Sequence, residues 1–132
     1  MPSILFLCRH NACRSQIAEA LCRSLAPAWI VASAGSRPSA DVDPKAVEVL
    51  RRHGLAMATP RPKGVSGVPP RRWDLVVCMG CDGAGSRLPA TRYVEWGVED
   101  PNDGPLETYE ALFRDLSERV GRLVREAERP AR

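Results

Sequence analysis

Ile4-Leu5-Phe6-Leu7-Cys8-Arg9-His10-Asn11-Ala12-Cys13-Arg14-Ser15 joins an apolar run to a polar octet, and a helical pattern follows at once. A continuous apolar run of this length is expected of a strand buried on both faces, as in a parallel sheet. The octet then becomes a loop between a strand and a helix, with a thiol at its start and a guanidinium six positions on. Unpaired N–H groups at a helix N-terminus carry partial positive charge and hold a tetrahedral anion. The same dipoles favour thiolate over thiol at Cys8. Arg14 offers two parallel donors to two anion oxygens, and Ser15 can add a hydroxyl donor to the Cys8 sulfur. Arg9, His10, Asn11, Ala12, Cys13, Arg14 and Ser15 are thus expected to cradle an oxyanion that Cys8 attacks. The competing reading is a buried cysteine ending a core strand, with an arginine on a solvated helix start.

Working outward, Ile17, Leu21 and Leu25 recur every four residues until Pro27 stops the helix. Trp29 to Ala34 reads as a second strand ending at Gly35. Asp43-Pro44 is a helix start of the cap-then-proline kind, and His53-Gly54 its end. Residues 56–72, rich in proline, read as an irregular connection with at most one short helical turn. Asp74 to Cys78 is a third strand and Arg92 to Trp96 a short fourth. Tyr109, Phe113, Leu116, Val120 and Leu123 form the seam of a last amphipathic helix. This alternation predicts an α/β fold: a small three-layer sandwich with a four-stranded parallel sheet and helices on both faces.

With 132 residues the chain suits a single domain over 1–132. No apolar run approaches membrane-spanning length, and Met1 begins almost on the first strand, so no signal peptide or membrane association is expected and the cytoplasm is. There the five cysteines are thiols by default, which favours redox or catalytic use. Cys22, beside Ala18 and Leu25 on the apolar side of the first helix, reads as packing. The net charge of +3 is slight and the arginines are dispersed. No basic stripe with aromatics points to nucleic acid.

Cys78-Met79-Gly80-Cys81 closes the third strand. Strand C-termini share one end of a parallel sheet, so Cys8, Cys78 and Cys81 are expected at one crevice. Half of a zinc site is the rival reading, but no second cysteine pair exists and the only histidines are His10 and His53, so no metal is expected. Simple packing is the other. Asp100, in Glu99-Asp100-Pro101-Asn102-Asp103-Gly104, is either a turn residue or an acid able to protonate a departing oxygen. Cys13 could close a local disulfide that shields Cys8 from deeper oxidation, or could be a small buried side chain.

The octet, the following Gln16-Ile17-Ala18-Glu19, Val31 to Gly35, Asp74 to Val77 and Trp96 to Pro101 together resemble the low-molecular-weight protein tyrosine phosphatase superfamily, over nearly the whole chain. The resemblance is closer to the arsenate reductases built on that scaffold. Gln16 stands where the phosphatases carry proline, Cys78 and Cys81 supply redox thiols, and Asn102-Asp103 replace the aromatic residues that sandwich a phosphotyrosine. The resemblance implies that Cys8 attacks arsenate held by Arg14 while Asp100 protonates the leaving hydroxyl. Cys81 would then resolve the adduct and Cys78 carry the disulfide outward. No cofactor would be bound. An external thiol, thioredoxin or a low-molecular-weight thiol, would recycle a monomeric enzyme. The alternative is phosphomonoester hydrolysis through a phosphocysteine, and a phosphate sensor or carrier is a third reading.

Departures from the family accompany the match. His10 stands for a glycine common in the phosphatase loop. Gly85 and Leu88 occupy the region where many such reductases carry the second redox cysteine. Some relatives bind potassium through residues matching Asn11, Glu19 and Ser33, and Lys63 falls where a carboxylate ligand is expected, so that its ammonium would replace the cation.

Overall fold

The computed structural model describes residues 2–81 and 88–128. Strand β1 (Ser3–Cys8) runs into helix α1 (Arg14–Leu25), followed by β2 (Ile30–Gly35), α2 (Pro44–Arg52), a 3-10 turn (Val65–Gly67), β3 (Trp73–Met79), β4 (Ala90–Glu95) and α3 (Leu106–Ala127). The strands form one parallel sheet in the order β2-β1-β3-β4. β1, central and wholly buried, accounts for the uninterrupted apolar run. The last strand begins two residues earlier than expected and is mostly exposed, being an edge. No helix among the described residues is long and apolar enough to cross a membrane.

The helix signals act where they stand. Asp43 caps α2 by accepting from the Lys45 N–H at 2.9 Å, and Pro44 takes the first helical position, where no N–H is needed. Gly54, with φ of 74°, follows the C-cap His53. In α1, Ile17 and Leu21 are buried but Leu25 is 48% exposed. A four-residue step overshoots one helical turn by about 40°, so two steps carry Leu25 off the buried stripe. Cys22 is fully buried, as expected, and burial pushes its thiol up to about 12.

The two outer layers are unequal. Ile4, Phe6, Cys8, Leu75, Val77 and Met79 face a core to which α1, α2 and α3 all contribute. Among the described residues, the opposite face, with Leu5, Leu7, Ala32, Ala34, Val76 and Cys78, is covered by Val65 and Val68 of the 3-10 turn region and by Trp73, Cys81 and Leu88. The step from β1 to β2 runs one way across the sheet and the step from β2 to β3 the other. Right-handed crossovers therefore put α1 in front and the 56–72 connection behind. The prolines there leave that connection only a 3-10 turn, while α2 docks on α3.

Candidate active site

The octet forms a tight loop at the C-terminal end of β1. Gly35 of β2 lies beneath it, and a Cβ there would stand 2.7 Å from the Arg9 carbonyl oxygen and 2.9 Å from the Asn11 nitrogen. Only glycine admits so close a crossing of two backbones. Asn11, fully buried, takes a left-handed conformation with φ of 53°. Its side-chain amide explains how that is held. Nδ2 donates to Ser15 Oγ at 2.7 Å and to Ser33 Oγ at 3.0 Å, spending both protons.

That bonding sets the polarity at the sulfur. Ser15 Oγ lies 3.0 Å from Cys8 Sγ. Since Ser15 accepts from Asn11, its single proton is free to point at the sulfur. The Asn11 N–H adds a second donor at 3.3 Å. Behind these, Ser33 Oγ donates to Glu19 Oε1 at 2.6 Å, and Glu19 is buried and paired with Arg23 at 2.9 Å. At the start of α1 no side chain caps the helix and no acidic residue lies in the first turn. The positive end of its dipole is left for an anion.

Arg14 is nearly buried. One guanidinium nitrogen donates to the Val98 carbonyl at 3.2 Å and the other lies 3.7 Å from Asp100 Oδ2. Gly80, with φ of 75°, makes room for it, since a Cβ there would come within 3.0 Å of the guanidinium. Cys8, His10, Ala12, Cys13, Arg14, Asp43, Asp100, Asn102 and Asp103 line one cavity of about 180 Å³. The structure thus brings Cys8, the loop after it, Arg14 and the Asp100 carboxyl together. Burial, with Asp43, Cys8 and Asp100 nearby, drives the Cys13 thiol strongly upward and keeps it protonated.

The expected gathering of thiols is corrected by strand parity. Cys78 pairs in register with Leu7, and Met79 with Cys8, so Cys78 points to the opposite face of the sheet. Cys81 is 2% exposed and packs in that same opposite cluster. Cys78 borders a separate cavity with Arg14, Gly80, Glu95 and Trp96. All five cysteines are buried thiols with no disulfide. Gly85 lies outside the described residues. Among those described, no cluster of His, Cys, Asp or Glu has metal-binding form.

At the position that the resemblance assigns to potassium, Lys63 Nζ lies 3.4 Å from Asn11 Oδ1, 3.4 Å from Ser33 Oγ and 4.0 Å from Glu19 Oε1. The lysine's own N–H also donates to Asn11 Oδ1 at 3.0 Å. An ammonium among these oxygens leaves no place for a second cation, so the residues present do not fit a bound potassium. Asp43 and Tyr109 are the neighbours that sequence reading did not bring to the site. A cap residue and a core aromatic each had a sufficient local explanation.

The family model of the low molecular weight phosphotyrosine protein phosphatases matches residues 3–131. An arsenate reductase of Halalkalibacterium halodurans is 33% identical, with 92% of this chain and 91% of the relative covered. A glutaredoxin arsenate reductase of a Synechocystis strain is 27% identical, with 94% and 97% covered. Among solved structures, a thioredoxin-dependent arsenate reductase of Corynebacterium glutamicum superposes with a TM-score of 0.78 at 29% identity, covering 96% of this chain and 61% of the other.

Proposed function

Since the chain belongs to the low molecular weight phosphotyrosine protein phosphatase family, we propose that it works as an arsenate reductase recycled by an external thiol. The observation that carries the reading is the lining of the pocket: Cys8, Arg14 and Asp100 meet there with small and polar walls, and none of the described lining residues is a tyrosine, tryptophan or phenylalanine. Such walls suit an inorganic oxyanion better than an aryl ester, whose ring would meet only the His10 imidazole and no larger aromatic face. The arsenate reductases among the relatives point the same way.

In this reading arsenate lies against Arg14 and the backbone amides of the loop. The Cys8 thiolate attacks arsenic and forms a sulfur–arsenic bond. One hydroxide leaves as water, taking the Asp100 proton. A second thiolate then attacks Cys8 Sγ. A disulfide forms, the sulfur–arsenic electron pair stays on arsenic, and arsenite departs, two thiols having supplied two electrons.

Cys13 already lines the pocket, yet its burial among carboxylates keeps it a thiol, which is a poor nucleophile. We therefore assign the resolving step to Cys81 and the outer half of the relay to Cys78. Cys81 must first leave its core cluster, and Gly80, with its positive φ, is the pivot next to it. Glutaredoxin and thioredoxin are named for two of the arsenate reductases that this chain resembles, so a dithiol protein is the expected reductant. Five buried thiols without a disulfide fit a reducing cytoplasm. Every group named comes from one chain, so a monomer suffices.

The test is arsenate-dependent NADPH consumption with thioredoxin and thioredoxin reductase, run beside hydrolysis of phenyl phosphate. Coupled arsenate turnover is expected. Fast ester hydrolysis with no arsenate reduction by any thiol donor would make the protein a phosphatase, which needs only Cys8, Arg14 and Asp100.

A further inference from the structure

Asn11, Asn102 and Asp103 are the non-glycine residues with positive φ among those described, and all three line or adjoin the same pocket. Asn11 is held by its own amide. The other two lie in the acid loop directly after Asp100 and Pro101, where φ is 45° at Asn102 and 60° at Asp103. Such conformations persist only where the surroundings over-determine them.

Asn102 is held locally, its N–H donating to Asp100 Oδ1 at 3.0 Å, whereas Asp103 is held from outside the loop, by Tyr109 on the first turns of α3. Tyr109 is fully buried, its hydroxyl donates to Asp43 Oδ2 at 2.5 Å, and the same oxygen accepts from the Asp103 N–H at 3.0 Å. Asp43 in turn spends its other carboxylate oxygen on the Lys45 N–H, and its backbone N–H donates to the Ala12 carbonyl of the anion loop at 3.0 Å. Lys45 closes the other side, with Nζ 2.7 Å from the Gly104 carbonyl and 3.1 Å from Asp103 Oδ1. A continuous chain of bonds thus runs from the loop carrying the nucleophile, through the start of α2, to the loop carrying the acid. Packing alone explains the ring of Tyr109 but not the hydroxyl, which phenylalanine would omit without changing the volume.

We infer that Tyr109 is a positioning residue: through Asp43 and the Asp103 amide its hydroxyl fixes the acid loop so that Asp100 faces Arg14 and the oxyanion above Cys8. The inference rests on the reading of the pocket as an acid-assisted oxyanion site. Burial and the neighbouring Asp43 carboxylate raise the tyrosine hydroxyl well above its ordinary range, so the donor persists at any pH at which the protein works.

The experiment is a double-mutant cycle of Tyr109→Phe and Asp100→Asn in the full chain. It is followed with arsenate reduction and with phenyl phosphate, a poor leaving group that needs an acid. Tyr109→Phe is expected to lower kcat roughly 10- to 100-fold. The inhibition constant of inorganic phosphate should stay within about twofold, because the cradle of Cys8 and Arg14 is untouched. With Asp100→Asn already present, the same substitution should cost less than about twofold. An equal cost in both backgrounds, or a fall in phosphate affinity that tracks the fall in kcat, would make Tyr109 merely structural and overturn the inference. A wild-type protein that hydrolyses phenyl phosphate but reduces no arsenate would sink the reductase reading alone and leave the cycle measurable on the ester. Absence of both activities would overturn both.

Discussion

The ends of β1 and β3 lie side by side in the sheet and both carry cysteine, yet they are built for opposite purposes. At the end of β1, Cys8 meets a serine hydroxyl, a backbone N–H and the start of a helix, with a polar chain through Asn11 and Ser33 to the buried Glu19 behind them. At the end of β3, Cys78 and Cys81 pack among Leu5, Leu7 and Val76. One residue of register separates the two environments, because successive side chains of a strand face opposite ways. Two thiols at neighbouring strand ends thus meet opposite surroundings, and the strand end alone does not decide which.

Breaking the first region should have the largest effect. Cys8→Ser nearly keeps the volume and the hydrogen-bonding partners but removes the thiol to which the proposal gives the attack on arsenic. Arsenate reduction and any ester hydrolysis should both fall by at least about 10³-fold, with the unfolding midpoint in urea little changed. Appreciable turnover by that variant would mean that the chemistry lies elsewhere.

Cys81→Ser probes the second region through a different signature. Multiple turnover of arsenate should drop roughly 100-fold, because the sulfur–arsenic adduct can no longer be resolved within the chain, while phenyl phosphate hydrolysis stays within about threefold. The hydroxyl enters an apolar cluster, so a loss of about 1–3 kcal/mol of stability should accompany it. Peptide mapping after one turnover decides the pairing. A Cys8–Cys13 bond, with Cys78 and Cys81 still reduced, would hand the resolving role to Cys13 and leave the end of β3 as plain core.

The contrast between the two strand ends also marks how far the sequence was legible. The strands, helices and caps could be read because each has a local cause: the apolar run of β1, the Asp43-Pro44 start, the glycine after His53. Cys8, Arg14 and Asp100, which sequence reading assigned to one site, do line one cavity. Reading failed where placement depends on register or on a distant partner. The facing of Cys78 follows from its pairing with Leu7, the exposure of Leu25 from 40° of drift per step, and the place of Tyr109 from a bond to a residue 66 positions away. None of these leaves a mark within a short window of sequence.

Gly35→Ala would disturb the β1 region from below. The added methyl would meet the backbone of Arg9 and Asn11 inside 3 Å, and backbone yields less readily than a side chain. A tenfold loss of kcat/KM for arsenate and about 1–3 kcal/mol of stability are expected, with the tilt of the loop also weakening phosphate inhibition. An alanine variant with unchanged phosphate affinity would show that the loop tolerates a lifted backbone, and that the donors at the sulfur are set by Asn11 alone.

The smallest effect should come from Lys63, at the far end of the polar chain behind Cys8. Its ammonium stands among Asn11 Oδ1, Ser33 Oγ and Glu19 Oε1, and none of these residues lines the cavity at Cys8. Lys63→Ala removes a charge from beside a buried carboxylate that Arg23 still pairs, so the cost should be about 1–2 kcal/mol and not that of an isolated buried ion. Turnover should fall only a few-fold, since Asn11 keeps both bonds from its amide nitrogen. The variant would, however, leave three oxygens around a space the size of the lost ammonium. Potassium chloride, compared with choline chloride at equal ionic strength, should then raise the thermal midpoint of the variant and restore part of its rate, while the wild-type protein responds to neither salt specifically. A wild-type midpoint that climbs with potassium would show that the ammonium does not fill the cation's place. An alanine variant indifferent to both salts would show that Glu19 is satisfied by Arg23 and Ser33 without a second positive charge.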